Sequence, residues 1–388
     1  MLLDAHMKDQ TVIRLSKSTI GEEEKEAVKQ VLEREFLGMG HDVLCFEQEL
    51  SIFFSSPAVC VASGTAALQL ALESVGIGRG DEVLVPSLTY VASYQAISAT
   101  GAIPVSCDVY PNTLTIDIED AELRRTSKTK AIMPVHYSGG VGNLGLVYKM
   151  ADRCGLRVIE DAAHAFGSKY QGKLVGSFGD IACFSFDGIK NITSGEGGCI
   201  VTRDGNILSK IRDARLLGVE KDSESRYRGT RTWNFDVKAQ GWRYHMSNIM
   251  AAIGIEQLNK FPKAQQTRQA LAKKYDQELI GVEGIRLIKH DYDQVVPHIY
   301  VIMVDGMTIE KREKIQSEML EMKIQTGFHY QPNHYLTFYE NLNARDLVVT
   351  DEIYPNLITL PLHLDLTSDD VKYVCDSLKK IVTNYCHY

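Results

Sequence analysis

Between about residues 59 and 202, short apolar and β-branched runs alternate with stretches whose apolar positions recur at helical spacing. The runs are Val59–Ala62, Glu82–Pro86, Ile103–Asp108, Ala131–Val135, Arg157–Glu160, Ile181–Phe186 and Gly198–Thr202. Most of them lack a polar face. Strands that are apolar on both sides belong inside a mostly parallel sheet covered by helices on each face. Between them, Thr65–Val75 places Ala67, Leu70, Ala71 and Val75 on one helical stripe, and Tyr90–Ala99 and Leu144–Cys154 also read as helices. The pattern predicts a layered α/β domain.

Two regions flank it. Gly21–Glu35 opens with Glu22, Glu23 and Glu24, a charge placement that suits a helix N-terminus. From Ser247 a long helix is expected through Leu258, then a second near Ala264–Leu279. Val295–Val304 is strand-like, and Ile309–Met322 and Ser368–Tyr385 are helical. The expected division is a large α/β domain over residues 1–255 with an N-terminal helical arm, and a smaller α+β domain over 256–388. There is no internal repeat and no low-complexity linker.

Composition narrows the classes. The 388 residues are 44% hydrophobic and 24% charged, as in an ordinary soluble globular protein. A net charge of −8 argues against nucleic-acid binding, which needs a basic surface, although a local basic pocket for a small anion remains compatible. Asp4, His6, Lys8 and Asp9 interrupt any apolar leader, and no stretch approaches the ~20 apolar residues that span a bilayer. The eight cysteines are scattered without a C-x-x-C pair, which fits reduced thiols in a cytoplasmic protein better than disulfides or a metal site.

Four short segments carry candidate chemistry. In Cys60–Leu68 an apolar strand ends in Ser63-Gly64-Thr65 and a helix opens at once. Free N–H groups at such a start, with glycine permitting close approach, form an anion site. Alone, the motif reads more simply as an N-cap. In Val158–His164 a strand delivers Asp161 at its C-terminal end, where open α/β sheets place ligands. That carboxylate could keep a pyridine nitrogen protonated, with His164 donating to a phenolic oxygen; capping of the next helix is an equal reading. In Phe184–Gly198 a strand leads into a polar turn holding one lysine, Lys190, among four glycines. Burial there would lower its pKa and make it nucleophilic toward an aldehyde, whereas a surface hairpin would leave it inert. Tyr90, just after a strand, could stack on a flat ring or simply pack. An aldehyde trap, a ring-nitrogen carboxylate, a phosphate cup and a stacking ring are what pyridoxal 5'-phosphate requires.

Their order in the chain resembles the sugar aminotransferases of the DegT/DnrJ/EryC1/StrS family. The likeness starts at Leu15–Glu24, passes through Ser63-Gly64-Thr65 and Glu160–His164, and is most specific at Lys190-Asn191-Ile192-Thr193-Ser194-Gly195-Glu196-Gly197-Gly198. It continues through Gly241–Ile253 to Leu360-Pro361-Leu362-His363. The resemblance implies the type I (aspartate aminotransferase-like) fold. It implies that Lys190 holds pyridoxal phosphate as a Schiff base and serves as the proton shuttle, and that Asp161 pairs with the pyridine nitrogen. His164 falls near O3′, Gly64, Thr65 and Ser185 at the phosphate, and Tyr90 against the ring. His329, Tyr330 and Arg226 are candidate substrate contacts, and no metal is expected.

The family's active site lies at a homodimer interface, where a Gly-(aromatic)-Asn-Tyr-Arg-type segment of the neighbouring subunit reaches the phosphate. Here that segment reads Gly241-Trp242-Arg243-Tyr244-His245, with Arg243 where Asn is usual and His245 where Arg is usual. Arginine suits a phosphate through its bidentate fork. Asp187 departs as well, since this place more often carries His or Tyr. The implied reaction moves an amino group from L-glutamate to a nucleotide-diphosphate keto sugar, with C4 of a 4-keto-6-deoxyhexose favoured. Arg226, Arg228, Arg231, Lys238 and Arg243, interleaved with Tyr227, Trp233 and Trp242, suit a nucleotide diphosphate, or equally a solvated loop. Dehydratase relatives carry His in place of the lysine, so Lys190 argues against a lyase. A non-catalytic regulator would be expected to lose Lys190 or Asp161, or to add a DNA-binding domain.

Overall fold

The computed structural model describes residues 12–230, 233–342 and 345–385. Residues Asp4 to Asp9, on which the leader argument rests, lie outside the described residues, as do Arg231 and Cys386. The seven other cysteines are free thiols. Among the described residues no helix is long and apolar enough to cross a membrane.

Seven strands form the central sheet: β1 (Ala58–Val61), β2 (Glu82–Pro86), β3 (Ile103–Cys107), β4 (Thr129–Ile132), β5 (Arg157–Asp161), β6 (Ile181–Ser185) and β7 (Gly198–Val201). Their spatial order is β1-β7-β6-β5-β4-β2-β3. All neighbours pair in parallel except at β7, which runs antiparallel to both β1 and β6. The sheet is therefore mixed, with one reversed strand. Successive side chains of a strand face opposite sides, and both sides are dry here. Cys60, Leu84, Ile132, Val158, Ala182 and Cys199 join one core. Val61, Val83, Ala131, Ile159, Cys183 and Ile200 join the other. That double burial is why these strands read as unbroken apolar runs.

On the first face, Phe53, Phe54, Phe166, Phe184 and Phe261 meet edge-on or stacked at centroid separations of 4.7–5.8 Å. Phe261 comes from the helix Asn248–Leu279, which is continuous over 32 residues, with Pro262 inside it. Two helices were expected here. A proline removes one helical hydrogen bond and clashes with the preceding turn, at about 3 kcal/mol. Phe261 anchors one side of it in the phenylalanine cluster, and Leu271, Ala272, Tyr275 and Leu279 pack on the other into the core of a second sheet. That burial outweighs the break. Residue 255, the expected division, thus sits within a helix whose two halves serve different cores.

The second sheet is antiparallel: β8 (Ile285–Leu287), β9 (Tyr300–Val304) and β10 (Leu357–Leu360), in that order. The helices Ile309–Glu321 and Ser368–Val382 cover it. The segment 295–299 leading into β9 is not strand but a buried connection, and it carries His298 toward the central sheet.

Candidate active site

The C-terminal ends of β1, β5 and β6 build the site. β1 runs out into Ser63, whose extended backbone caps the helix Gly64–Ser74. Its hydroxyl accepts from the Ala66 N–H at 3.1 Å and its carbonyl from the Ala67 N–H at 3.0 Å. The two N–H groups before them, on Gly64 and Thr65, belong to residues that line a cavity. A side chain at Gly64 would put its Cβ 2.8 Å from the Ser185 Cβ at the end of β6. Only glycine lets the helix start and the strand end touch. Ser63, Gly64, Thr65 and Ser185 therefore share one wall of that cavity.

β5 delivers Asp161. Its carboxylate accepts the Ser93 hydroxyl at 2.6 Å and the Ala163 N–H at 3.2 Å. Ser93 lies wholly buried on the helix Val91–Ala99 and also contacts the Thr89 hydroxyl at 3.0 Å. Beyond β6 the chain turns tightly: the Lys190 N–H donates to the Asp187 carbonyl at 3.0 Å, and the Ile189 N–H to the Asp187 carboxylate at 3.3 Å. The chain re-enters as β7, where Gly198 pairs with Val61 on one side and Ser185 on the other. A Cβ at Gly198 would lie 2.7 Å from the carbonyls of both Phe184 and Ser63.

These ends enclose a cavity of about 460 Å³. Gly64, Thr65, Tyr90, Asp161, His164, Ser185, Lys190, His329 and Tyr330 all line it. Lys190 is mostly withdrawn from solvent. Burial pushes its ammonium down to a pKa of about 8, against the pull of Asp187 and Asp161. The His164 ring is held well below the usual histidine range by burial, with Lys190 and His329 adding to it. Its Nε2 meets the Tyr330 hydroxyl at 2.9 Å, while its Nδ1 is buried with no protein partner. His329 is pushed down to about 4 by burial and by Lys190, and its Nδ1 meets the Thr359 hydroxyl at 2.8 Å. Tyr90 is exposed at the rim, its ring 5.5 Å from that of Tyr330.

Two named residues lie elsewhere. Arg226 pairs with Asp222 at 2.6 Å and borders a different hollow, beside Phe36 and Trp233. Arg243 is exposed and bridges to Leu216, away from its own chain's cavity. Lys238, from the same basic stretch, pairs with Glu220 at 2.9 Å. Conversely, Ser93, His298 and Glu196 stand at or behind the site without having been singled out. Ser93 could have been found as the second polar residue on the helix that Tyr90 begins; His298 comes from the other end of the chain and gave no signal. Among the described residues there is no group of three or more side chains placed to hold a metal.

A flat, phosphorylated pyridine aldehyde fits what is present. The glycine cradle would be filled by any Cβ, His164, whose buried Nδ1 has no partner, lines the same cavity as Asp161, and the cavity holds one amine of depressed basicity. Fold and site together define a pyridoxal-phosphate-dependent transferase.

The comparisons agree and narrow it. The spore coat polysaccharide biosynthesis protein SpsC of Bacillus subtilis is 36% identical over 370 residues, covering 94% of this chain and 95% of that protein. A Streptococcus pneumoniae protein assigned as a sugar aminotransferase, solved in its PMP form, superposes with a TM-score of 0.89 at 30% identity, over 96% of this chain and 98% of that one. PseC of Helicobacter pylori, an aminotransferase involved in the biosynthesis of pseudoaminic acid, gives 0.89 at 27% identity, over 96% and 100%. The family model matches residues 18–379, and the chain belongs to the DegT/DnrJ/EryC1/StrS aminotransferase family.

Proposed function

We propose that this sugar aminotransferase moves an amino group from L-glutamate to a keto sugar carried on a nucleotide diphosphate. C4 of a 4-keto-6-deoxyhexose is the favoured acceptor, and the product feeds a surface polysaccharide, such as a lipopolysaccharide O-antigen, or a glycosylated metabolite. The observation that carries the reading is the lysine of lowered basicity facing the carboxylate of Asp161 within one cavity. The assignments to polysaccharide and pseudoaminic acid biosynthesis of two relatives support the sugar-biosynthetic context.

When bound, the cofactor supplies an electron sink for a carbanion. The chain's residues do the rest. Lys190 would hold the cofactor at its aldehyde and, with its amine free, its Nζ would take up and return the migrating proton. Asp161, fixed by Ser93 and the Ala163 N–H, would keep the ring nitrogen protonated. Gly64, Thr65 and Ser185 would hold the phosphate, His164 would meet the ring oxygen, and Tyr90 would cover the ring. His329 and Tyr330 face the sugar.

The working unit is a homodimer with shared sites. Arg243, unused by its own cavity, reaches the partner's phosphate, and Arg226 contacts substrate from the same surface. Support comes from the exposed apolar side chains Phe36, Leu37, Trp233 and Phe235, which a partner would cover. We place the enzyme in the cytoplasm, where its thiols stay reduced, and divide it into a cofactor domain through residue 255 and a small domain beyond.

The test mixes holoprotein with L-glutamate. The cofactor's absorbance should convert to that of the amine form, and a panel of nucleotide keto sugars should then show which acceptor gains mass by amination. Lys190→Ala should lose the borohydride-trapped bond to the cofactor. No spectral change with any amino donor would refute the assignment.

A further inference from the structure

His298 is unclaimed by the chemistry above, yet its Nε2 lies 3.4 Å from the Lys190 Nζ. It is 3% exposed, its backbone fixed by an N–H donated to the Ser138 carbonyl at 3.2 Å and by Arg268 donating to its own carbonyl at 3.1 Å. Its ring packs 4.5 Å from that of His164. Burial, together with Lys190, His164, Arg268 and His329, keeps the ring well below the usual histidine range. It is therefore neutral at physiological pH. A lysine ammonium offers only donors, so the nitrogen facing it must be the bare, accepting one. The proton then sits on Nδ1, which is buried with no partner.

We propose that His298 is a positioning residue for the free state of Lys190: its bare Nε2 accepts a hydrogen bond from the lysine amine whenever that amine is released from the cofactor. This rests on the reading of Lys190 given above. A released lysine is a long, flexible chain, and a fixed acceptor holds it at one place rather than leaving it to move among Asp187, Asp161 and bulk water. The acceptor favours the charged amine, while burial favours the neutral one. Removing it therefore has a sign of its own.

The experiment follows acetylation of Lys190 in the apoprotein by mass spectrometry as a function of pH. Pyridoxal phosphate should protect the wild-type residue; failure to protect would overturn the role of Lys190 itself. In His298→Phe the midpoint of the profile should fall by about one to two pH units, as expected for one lost hydrogen bond to a charged group. His298→Gln, which keeps an accepting oxygen, should restore most of it. Mere loosening of the site would admit water and raise the midpoint toward that of an ordinary lysine. A raised or unchanged midpoint in a His298→Phe apoprotein with wild-type circular dichroism overturns the proposal, and so does a His298→Gln profile matching that of His298→Phe. Should His298→Phe not fold, His298→Leu and His298→Gln form the comparison, with the same two outcomes.

Discussion

Ser93→Ala tests whether the carboxylate of Asp161 works as a held group or merely a nearby one. The hydroxyl sits 2.6 Å from Asp161 Oδ2 and is buried completely, so no bulk water replaces it. A hydrogen bond to a charged group contributes about 1.5–3 kcal/mol, and each 1.4 kcal/mol is a factor of ten in binding. The Ala163 N–H at 3.2 Å is a longer second support and stays in place. Because the bond is already made without cofactor, only its strengthening on binding is lost, and we expect the apoprotein to bind pyridoxal phosphate more weakly by at most about tenfold to a hundredfold, read from tryptophan fluorescence. Melting of the apoprotein should show the fold intact. The decisive comparison is a cycle with Asp161→Asn. If Ser93 acts through the carboxylate's charge, its removal should cost much less in the Asn background. Equal losses in both backgrounds, or none in either, would refute the reasoning.

Two further outcomes follow from the same cavity. Gly64→Ala should weaken pyridoxal phosphate more than pyridoxal, because the new methyl intrudes at the Ser185 wall; equal losses in the two dissociation constants would remove Gly64 from the phosphate site. Lys190 titrates near 8 in the fold and near 10.5 when unfolded, so between those values the unfolded chain binds the extra proton. Apoprotein stability should accordingly rise from pH 8 to 10.5 by at most about 3 kcal/mol relative to Lys190→Met, measured by denaturant unfolding at both pH values; parallel curves would contradict a depressed lysine.

Much of this was legible beforehand, for reasons the structure makes plain. Strands buried on both faces leave unbroken apolar runs, and strand ends that meet ligands leave Ser63-Gly64-Thr65, Asp161 and Lys190 just past those runs. Helix continuity across Pro262 was not legible, because the residues that override the proline, Phe261 and Tyr275, pack against partners far away in the chain. Nor was His298, which reaches Lys190 across 108 positions from a connection that resembles strand. In the basic stretch after Lys221, the spacing puts Asp222 one helical turn before Arg226, and the two form an i,i+4 ion pair.

The reversed strand β7 has a bearing on how this enzyme can vary. Both ends of the lysine turn are tied into the sheet, at Ser185 and at Gly198, and Gly198 has room for no side chain. A slip of β7 by one place against its neighbours would turn every one of its side chains to the opposite core. The register of the turn's two ends is thus pinned, while residue identity within it can vary. Innovation in substrate choice has to enter through segments without that double tether, such as the stretch after Lys221 and the one holding His329 and Tyr330.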